Sequence, residues 1–201
     1  MTPPKAVVFD IGNVLIHWGY EINLVAKFGV ERTYDFLEQT NILEVHARTD
    51  AGAPFTKTIL EHAQHHPLYT DMIEAWMFDS KDMAAPEIEG SARVLFDLKA
   101  ANVLVYALSN FAAENYEWSK SQYPVLQAFD AEFISGRMGM DKPHPEIYAA
   151  LELETGLNGS DRIFADDRAD NIAAARERGW HEHVLTTAAR FRAELTRLGL
   201  L

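Results

Sequence analysis

Cysteine is missing altogether, so disulfides, thiolate nucleophiles and Cys-ligated zinc are excluded. Positive charge is scarce. Eighteen Lys and Arg stand against 30 Asp and Glu, a formal charge of −12, which disfavours nucleic acid or an anionic membrane as a partner. An anionic small molecule would then need a local basic group or a metal to offset that field. No apolar run approaches the ~20 residues of a membrane span, and the opening MTPPK carries no charged-then-apolar leader. These absences lead to the expectation of a soluble, cytoplasmic protein with no nucleic-acid and no membrane partner.

What is present is ordinary for a globular chain: 48% hydrophobic and 24% charged residues in a length of 201. That length accommodates one large domain, or one domain with an insertion. There is no internal repeat and no low-complexity tract.

The chain is organised around Lys5 to Ile16, KAVVFDIGNVLI. A short apolar run, Ala6 to Phe9, ends on Asp10, and Gly12 lets the backbone turn beneath that carboxylate. Ligands of open parallel α/β sheets sit outside the carboxyl ends of the strands, where an acid is placed for chemistry. A strand-ending Asp is also a turn former and a helix N-cap, so the remaining strand ends decide.

After Ile16 some 70 residues follow with helical spacing and almost no strand signal. Ile22, Val25 and Ala26 are expected to share a helix face; Thr56 to Ala63 and Tyr69 to Phe78 give two more helices, separated by Gly52-Ala53-Pro54 and Pro67. From Pro86 the pattern changes. Ile88, Ala92, Leu95, Phe96 and Leu98 mark an amphipathic helix leading into the strand Val103 to Leu108, with Ser109 and Asn110 at its end. Phe129 to Ile134 reads as a strand that leads to Asp141-Lys142-Pro143, and Pro145 opens a helix. Asp161 to Ala165 is a strand ending on Asp166-Asp167, followed by a helix from about Asn171 and a last strand at His183 to Leu185. Alternating strands and helices predict a doubly wound parallel sheet, an α/β fold. The expected division is a core of residues 1–16 and 86–201, with residues 17–85 as a helical insertion after the first strand.

Parallel strands gather their carboxyl ends on one edge. That edge would collect Asp10, Ser109, Asn110, Lys142, Asp166 and Asp167. Carboxylates ~4 Å apart repel by about 4 kcal/mol per pair at an effective dielectric of 20. A fold keeps such a cluster when a cation offsets it, and oxygen ligands beside water favour Mg²⁺. Lys142 is placed to hold an anionic oxygen and to orient Asp10, and Ser109 with Asn110 offers a hydroxyl and backbone N–H groups to a phosphate. The bland alternatives are helix caps for the two aspartates, a solvated loop lysine and an ordinary turn at Ser109-Asn110.

FDIGNVL, LSN, MDKPHPEIY and FADDRADNI, in that order and spacing, resemble the four motifs of the haloacid dehalogenase (HAD) superfamily across the whole core. The Gly12-Asn13 and Asp166-to-Asn171 versions are most similar to the branch containing α-D-glucose-1-phosphate phosphatases and the amino-terminal domain of soluble epoxide hydrolases. The resemblance implies a Rossmann-like core of strand order 5-4-1-2-3 with a helical cap. It implies a phosphatase acting on a small phosphate monoester, possibly a sugar phosphate: Asp10 attacks phosphorus, Mg²⁺ is held by Asp10, the Gly12 carbonyl and Asp167 with Asp166 and Asn171 in support, and Ser109, Asn110 and Lys142 bind the transferring group. A monomer or weak homodimer is expected.

One departure concerns mechanism. Most phosphatases of this superfamily carry a second aspartate two residues after the nucleophile, where this chain has Gly12, so the general acid is unassigned; His17, His46 and Asp50 are the candidates from the insertion. The rival readings are a 2-haloacid dehalogenase, in which Asp10 attacks carbon without a metal, and a non-catalytic relative that binds a phosphorylated ligand or a protein. His62, His65 and His66 fall at a helix end before Pro67 and are read as solvated; Trp18, Trp76 and Trp118 are read as packing residues, with Trp18 close to the Asp10 turn.

Overall fold

Ala6–Phe9 (β1) is fully buried and lies at the centre of the sheet in the computed structural model, which describes residues 3–201, apart from the side chains of residues 80 and 81. Met1 and Thr2 of the MTPPK reading lie outside the described residues. Because β1 is covered on both faces, it needs no polar alternation. After it come Ile16–Trp18 (β2), then the helices Tyr20–Phe28 (α1), Val30–Thr40 (α2), Ile42–Asp50 (α3), Phe55–Ala63 (α4), Thr70–Phe78 (α5) and Ser80–Met83 (α6). The chain returns through Ala84–Glu87 (β3), Glu89–Ala100 (α7), Leu104–Ser109 (β4), Ala113–Gln122 (α8), Ala131–Ile134 (β5) and Ser135–Met138 (α9). Pro145–Thr155 (α10), Arg162–Asp166 (β6), Ala169–Glu177 (α11), His181–Val184 (β7) and Ala188–Arg197 (α12) complete it.

The large sheet is parallel throughout, in the order β5-β4-β1-β6-β7. Counting only its own strands along the chain and reading from the β7 edge, this is the expected order 5-4-1-2-3. Val7 and Phe9 point to one face, where Leu95, Leu98, Phe191 and Leu195 of α7 and α12 pack; Ala6 and Val8 point to the other, with Ile147, Tyr148 and Ile172 of α10 and α11. Register positions the chemistry. Phe9 pairs with Ala107 on one side and Ala165 on the other, so Asp10 and Asp166 leave their strands side by side, with Ser109 two residues beyond Ala107. The Asp10 N–H still donates to the Ala165 carbonyl at 2.9 Å.

The helical insertion has its own apolar centre. Trp76 is fully buried among Leu24, Phe36, Ile42, Ile59, Met72 and Ile73. Two expectations need correction here. β2 and β3 form an antiparallel pair, Ile16 opposite Glu87 and Trp18 opposite Ala84, at the two ends of a stretch expected to be almost free of strand. Three- and four-residue strands whose partner lies some 70 residues away carry too little local periodicity to be read. The first helix buries Leu24, while Ile22 is 77% exposed; likewise Phe96, expected on the buried stripe of α7, is 43% exposed. A nine-residue helix packed along a narrow line needs only one inward apolar side chain, so its composition misplaces the face. The strands Val103 to Leu108, Phe129 to Ile134, Asp161 to Ala165 and His183 to Leu185 each exist with ends shifted by one or two residues. Among the described residues no helix is long and apolar enough to cross a membrane.

The insertion rests on the core at a backbone seam. A Cβ added to Gly52, in the turn after α3, would lie 3.1 Å from the Gly139 Cα, just ahead of Asp141 and Lys142. Gly52 also has φ +105°, a conformation open to glycine.

Candidate active site

A cavity of about 290 Å³ opens between the carboxyl edge of the sheet and the insertion. Its sheet side holds Asp10, Gly12, Ser109, Asn110, Lys142, Asp167 and Asn171, with Asp166 buried beneath. All eight residues singled out from the sequence therefore meet at one place.

Asp10 is gripped through a single oxygen. Its Oδ1 accepts the Ile11 N–H at 2.7 Å and the Ser109 hydroxyl at 2.7 Å, and lies 2.9 Å from Lys142 Nζ. Among the described residues no hydrogen bond or ion pair engages Oδ2, which leaves that oxygen available on the cavity side of the strand end. Burial pushes Asp10 up to about 6, with Lys142 opposing and Asp166 adding to the rise. Lys142 also meets Asp166 Oδ2 at 2.7 Å. Although burial works against its charge, the two carboxylates hold its ammonium above the ordinary lysine value. Asp166 accepts further from Asn171 Nδ2, at 3.1 and 3.0 Å, and from the Arg168 N–H at 2.8 Å.

Both ends of the Asn110 amide bond the Lys142 backbone at 2.8 Å. That side chain therefore fixes the loop carrying the lysine. Asn13, not singled out from the sequence for any role, sits in left-handed backbone at φ 54°; its Oδ1 accepts the Trp18 N–H at 3.0 Å and its side chain bonds Asp167. An asparagine tolerates that backbone and has a two-ended amide, the signal that marks it. Asp167 is raised by burial and then by the charge of Asp166.

The donor set fits a divalent cation. Asp10, Asp166 and Asp167 each present an oxygen within 4.8 Å of the others. Three carboxylates (−3) and the one ammonium between them (+1) leave −2, the charge that a divalent ion neutralises. Asn171 adds a buried Oδ1 with no partner among the described residues. Oxygen donors of this kind suit Mg²⁺.

The insertion supplies the other wall: His17, Trp18, His46, Ala47 and Asp50. Trp18 stacks on His46 with centroids 5.1 Å apart, and the Trp76 indole N–H donates to His46 Nδ1 at 3.2 Å. Since Nδ1 accepts, the proton of the neutral ring is on Nε2. Burial holds His46 down to about 4. His46 Nε2 faces Asp50 Oδ1 at 3.7 Å, and that oxygen is buried without a hydrogen-bond partner among the described residues. The Ala112 N–H bonds the Asp50 carboxyl, yet burial, then the charges of Asp141 and Asp10, push Asp50 up to about 7. His62 and His66 lie with their rings tilted by 48° and centroids 4.5 Å apart, away from this cavity.

Comparison with known proteins gives the same outline. The family model for haloacid dehalogenase-like hydrolases matches residues 4–179. The sesquiterpene phosphatase astK of Aspergillus oryzae is 30% identical over 86 residues, 43% of this chain; the chain spans 44% of that protein's length. A D-ribitol-5-phosphate phosphatase of Bacteroides thetaiotaomicron is 24% identical over 96% of this chain and 97% of its own. Among solved structures, the HAD family enzyme bt-2542 of Bacteroides thetaiotaomicron in complex with magnesium and inorganic phosphate superposes with a TM-score of 0.73 at 21% identity, covering 91% of this chain and 94% of that one. The L-2-haloacid dehalogenase of Xanthobacter autotrophicus with chloropropionic acid covalently bound gives 0.67 at 18%, covering 96% and 83%.

Proposed function

The chain belongs to the haloacid dehalogenase-like hydrolases, and we propose that within them it is a Mg²⁺-dependent phosphatase of small phosphate monoesters, with residues 17–85 acting as the cap over the site. The observation that carries this reading is the unbalanced cluster: three carboxylates around one buried lysine, beside an Asp10 oxygen that is free. A dehalogenase attacking carbon has no use for the excess charge of Asp167, and a binding module has no use for a carboxylate held through one oxygen with the other left free.

In this mechanism Asp10 Oδ2 attacks phosphorus, the ester oxygen leaves, and an aspartyl-phosphate forms that water then hydrolyses. Ser109 and Lys142 hold Asp10 in the attacking orientation and, with the ammonium, offset charge on the transferring group. Asp10, the Gly12 carbonyl and Asp167 would hold Mg²⁺, with Asp166 and Asn171 in support; bound there, it neutralises phosphate charge. Asn110 contributes by keeping Lys142 in place. The substrate is a phosphorylated small molecule of a size suited to the cavity; a sugar or polyol phosphate is the first class to screen.

The test is phosphate release from p-nitrophenyl phosphate and from sugar and polyol phosphates with Mg²⁺. Activity that EDTA removes and Mg²⁺ restores is expected. Halide release from 2-chloropropionate without metal overturns the reading.

A further inference from the structure

We infer that Asp50, carried by the insertion at the end of α3, is the general acid and base of this site, taking the place left by Gly12, and that His46 is the residue that positions it. The inference rests on the phosphatase reading of the same cavity.

The position that lacks an acid has not been refilled. A Cβ added to Gly12 would meet nothing within 4 Å, so open space lies beside Asp10 where a leaving oxygen needs a proton donor. Asp50 lines the same cavity. Its carboxyl is fixed by the Ala112 N–H, while Oδ1 is buried and has no hydrogen-bond partner among the described residues. A buried carboxyl oxygen left without a partner is costly. The cost is smallest for the neutral carboxyl, and His46 Nε2, 3.7 Å away, is the group that faces this oxygen. The charged and titratable groups that line the cavity with Asp50 are Asp10 from the β1 end, Asp141 and Lys142 from the loop before α10, Asp167 and Arg168 from the β6 end, His17 from β2 and His46 from its own helix. Burial and the nearby Asp10 and Asp141 charges favour the neutral carboxyl, the form that donates.

The two histidines are poorer donors. His46 is kept neutral by burial, with Nδ1 occupied by Trp76; His17 is exposed. What His46 offers is its Nε2–H, facing Asp50 Oδ1, ready to bond the carboxylate once the proton has gone. Trp18 stacking and the Trp76 bond fix that ring orientation.

The step balances. As Asp10 Oδ2 bonds to phosphorus, the P–O ester bond breaks and its electron pair stays on the leaving oxygen, which takes the Asp50 proton and departs as an alcohol. Asp50 carboxylate then accepts a proton from the water that attacks the aspartyl-phosphate. Phosphate leaves, Asp10 is freed and Asp50 is protonated again.

The test compares two aryl esters with the full-length Mg²⁺-loaded protein. p-Nitrophenyl phosphate has a leaving group that departs without a proton; phenyl phosphate has one that needs it. Asp50→Asn is expected to lower kcat/KM for phenyl phosphate by about 10²-fold or more, and for p-nitrophenyl phosphate by less than about 5-fold. Asp50→Glu should recover part of the phenyl phosphate activity, and His46→Gln should shift the alkaline limb of the kcat/KM pH profile while sparing the nitrophenyl ester. Equal loss on both esters, or no loss on either, overturns the assignment. Carbon-13 NMR of the carboxyls reads the same residue without turnover: a group titrating near pH 7 that vanishes in Asp50→Asn is expected, and an Asp50 signal titrating in the usual carboxylate range overturns the acid role. Wild-type protein that cleaves neither ester while showing the pH 7 carboxyl refutes the phosphatase reading instead.

Discussion

On the sheet side of the cavity, Asp10, Lys142 and Asp166 each have an opposite charge within 2.9 Å; on the insertion side, Asp50 and His46 stand 3.7 Å apart with Asp50 Oδ1 unpartnered. The first wall is organised by charge and keeps it by pairing. The second is organised by aromatic packing, and burial shifts His46 and Asp50 toward their neutral forms. Under the proposed function the difference divides the chemistry: charge is stabilised at the strand ends, and the proton is kept among the helices.

The largest expected effect comes from breaking the charged wall at its reacting atom. Asp10→Asn should lower phosphatase turnover by at least about 10⁴-fold, as removing a nucleophile does, while thermal denaturation shows no loss of stability because one of three clustered carboxylates has been neutralised. Lys142→Met breaks the same wall structurally. It leaves Asp10 and Asp166 buried without their cation, and a loss of about 3–5 kcal/mol in urea denaturation is expected together with loss of activity.

The dry wall is tested by pH, and its two members have opposite signs. His46 is lowered to about 4 from 6.5, so its contribution is complete above pH 6.5 and is lost as pH falls from 6.5 through 4. Asp50 is raised to about 7 from 3.8, so its contribution is complete below pH 3.8 and is lost as pH rises from 3.8 through 7. In the wild type the two offset each other. Asp50→Asn removes the aspartate limb of this wall, and relative to the wild type its stability should fall by up to about 3 kcal/mol on acidification from pH 7 to 4. His46→Phe removes the histidine limb, and relative to the wild type acidification over that range should stabilise. Urea titrations at four or five pH values read both slopes; parallel profiles for the two variants would erase the contrast between the walls.

The smallest effect concerns the metal. Mg²⁺ at 100 times its dissociation constant should raise wild-type stability by about 2.7 kcal/mol, seen as a higher melting temperature, and Asp167→Asn should show little of that rise. Asp50→Asn, on the other wall, should keep it.

The same contrast decides how much was legible in the sequence. Asp10, Ser109 and Asp166 end adjacent strands, so strand recognition plus parallel topology brings them together, and the pairing of Phe9 with Ala107 and Ala165 only refines the register. The parallel sheet and the helical insertion were legible for that reason, while the five-strand order followed from the resemblance of the four motifs to the haloacid dehalogenase superfamily. Trp18, His46 and Asp50 meet because α3 and β2 pack around Trp76, a tertiary event with no local pattern. The sequence offers His17, His46 and Asp50 on equal terms, and only burial and the direction of the Trp76 hydrogen bond separate them. The β2–β3 pair was illegible because two very short strands depend on each other across the whole insertion.

The seam at Gly52 and Gly139 bears on how such a site is retuned. Where insertion meets sheet side, a Cβ at Gly52 would come 3.1 Å from the Gly139 Cα, so the spacing there is set by main-chain contact, with a tolerance of tenths of an ångström. At φ +105° the backbone also disfavours any L side chain, so a single methyl group at position 52 would strain the turn itself as well as crowd the seam. Glycine at this position therefore fixes how closely the insertion approaches the loop that carries Lys142.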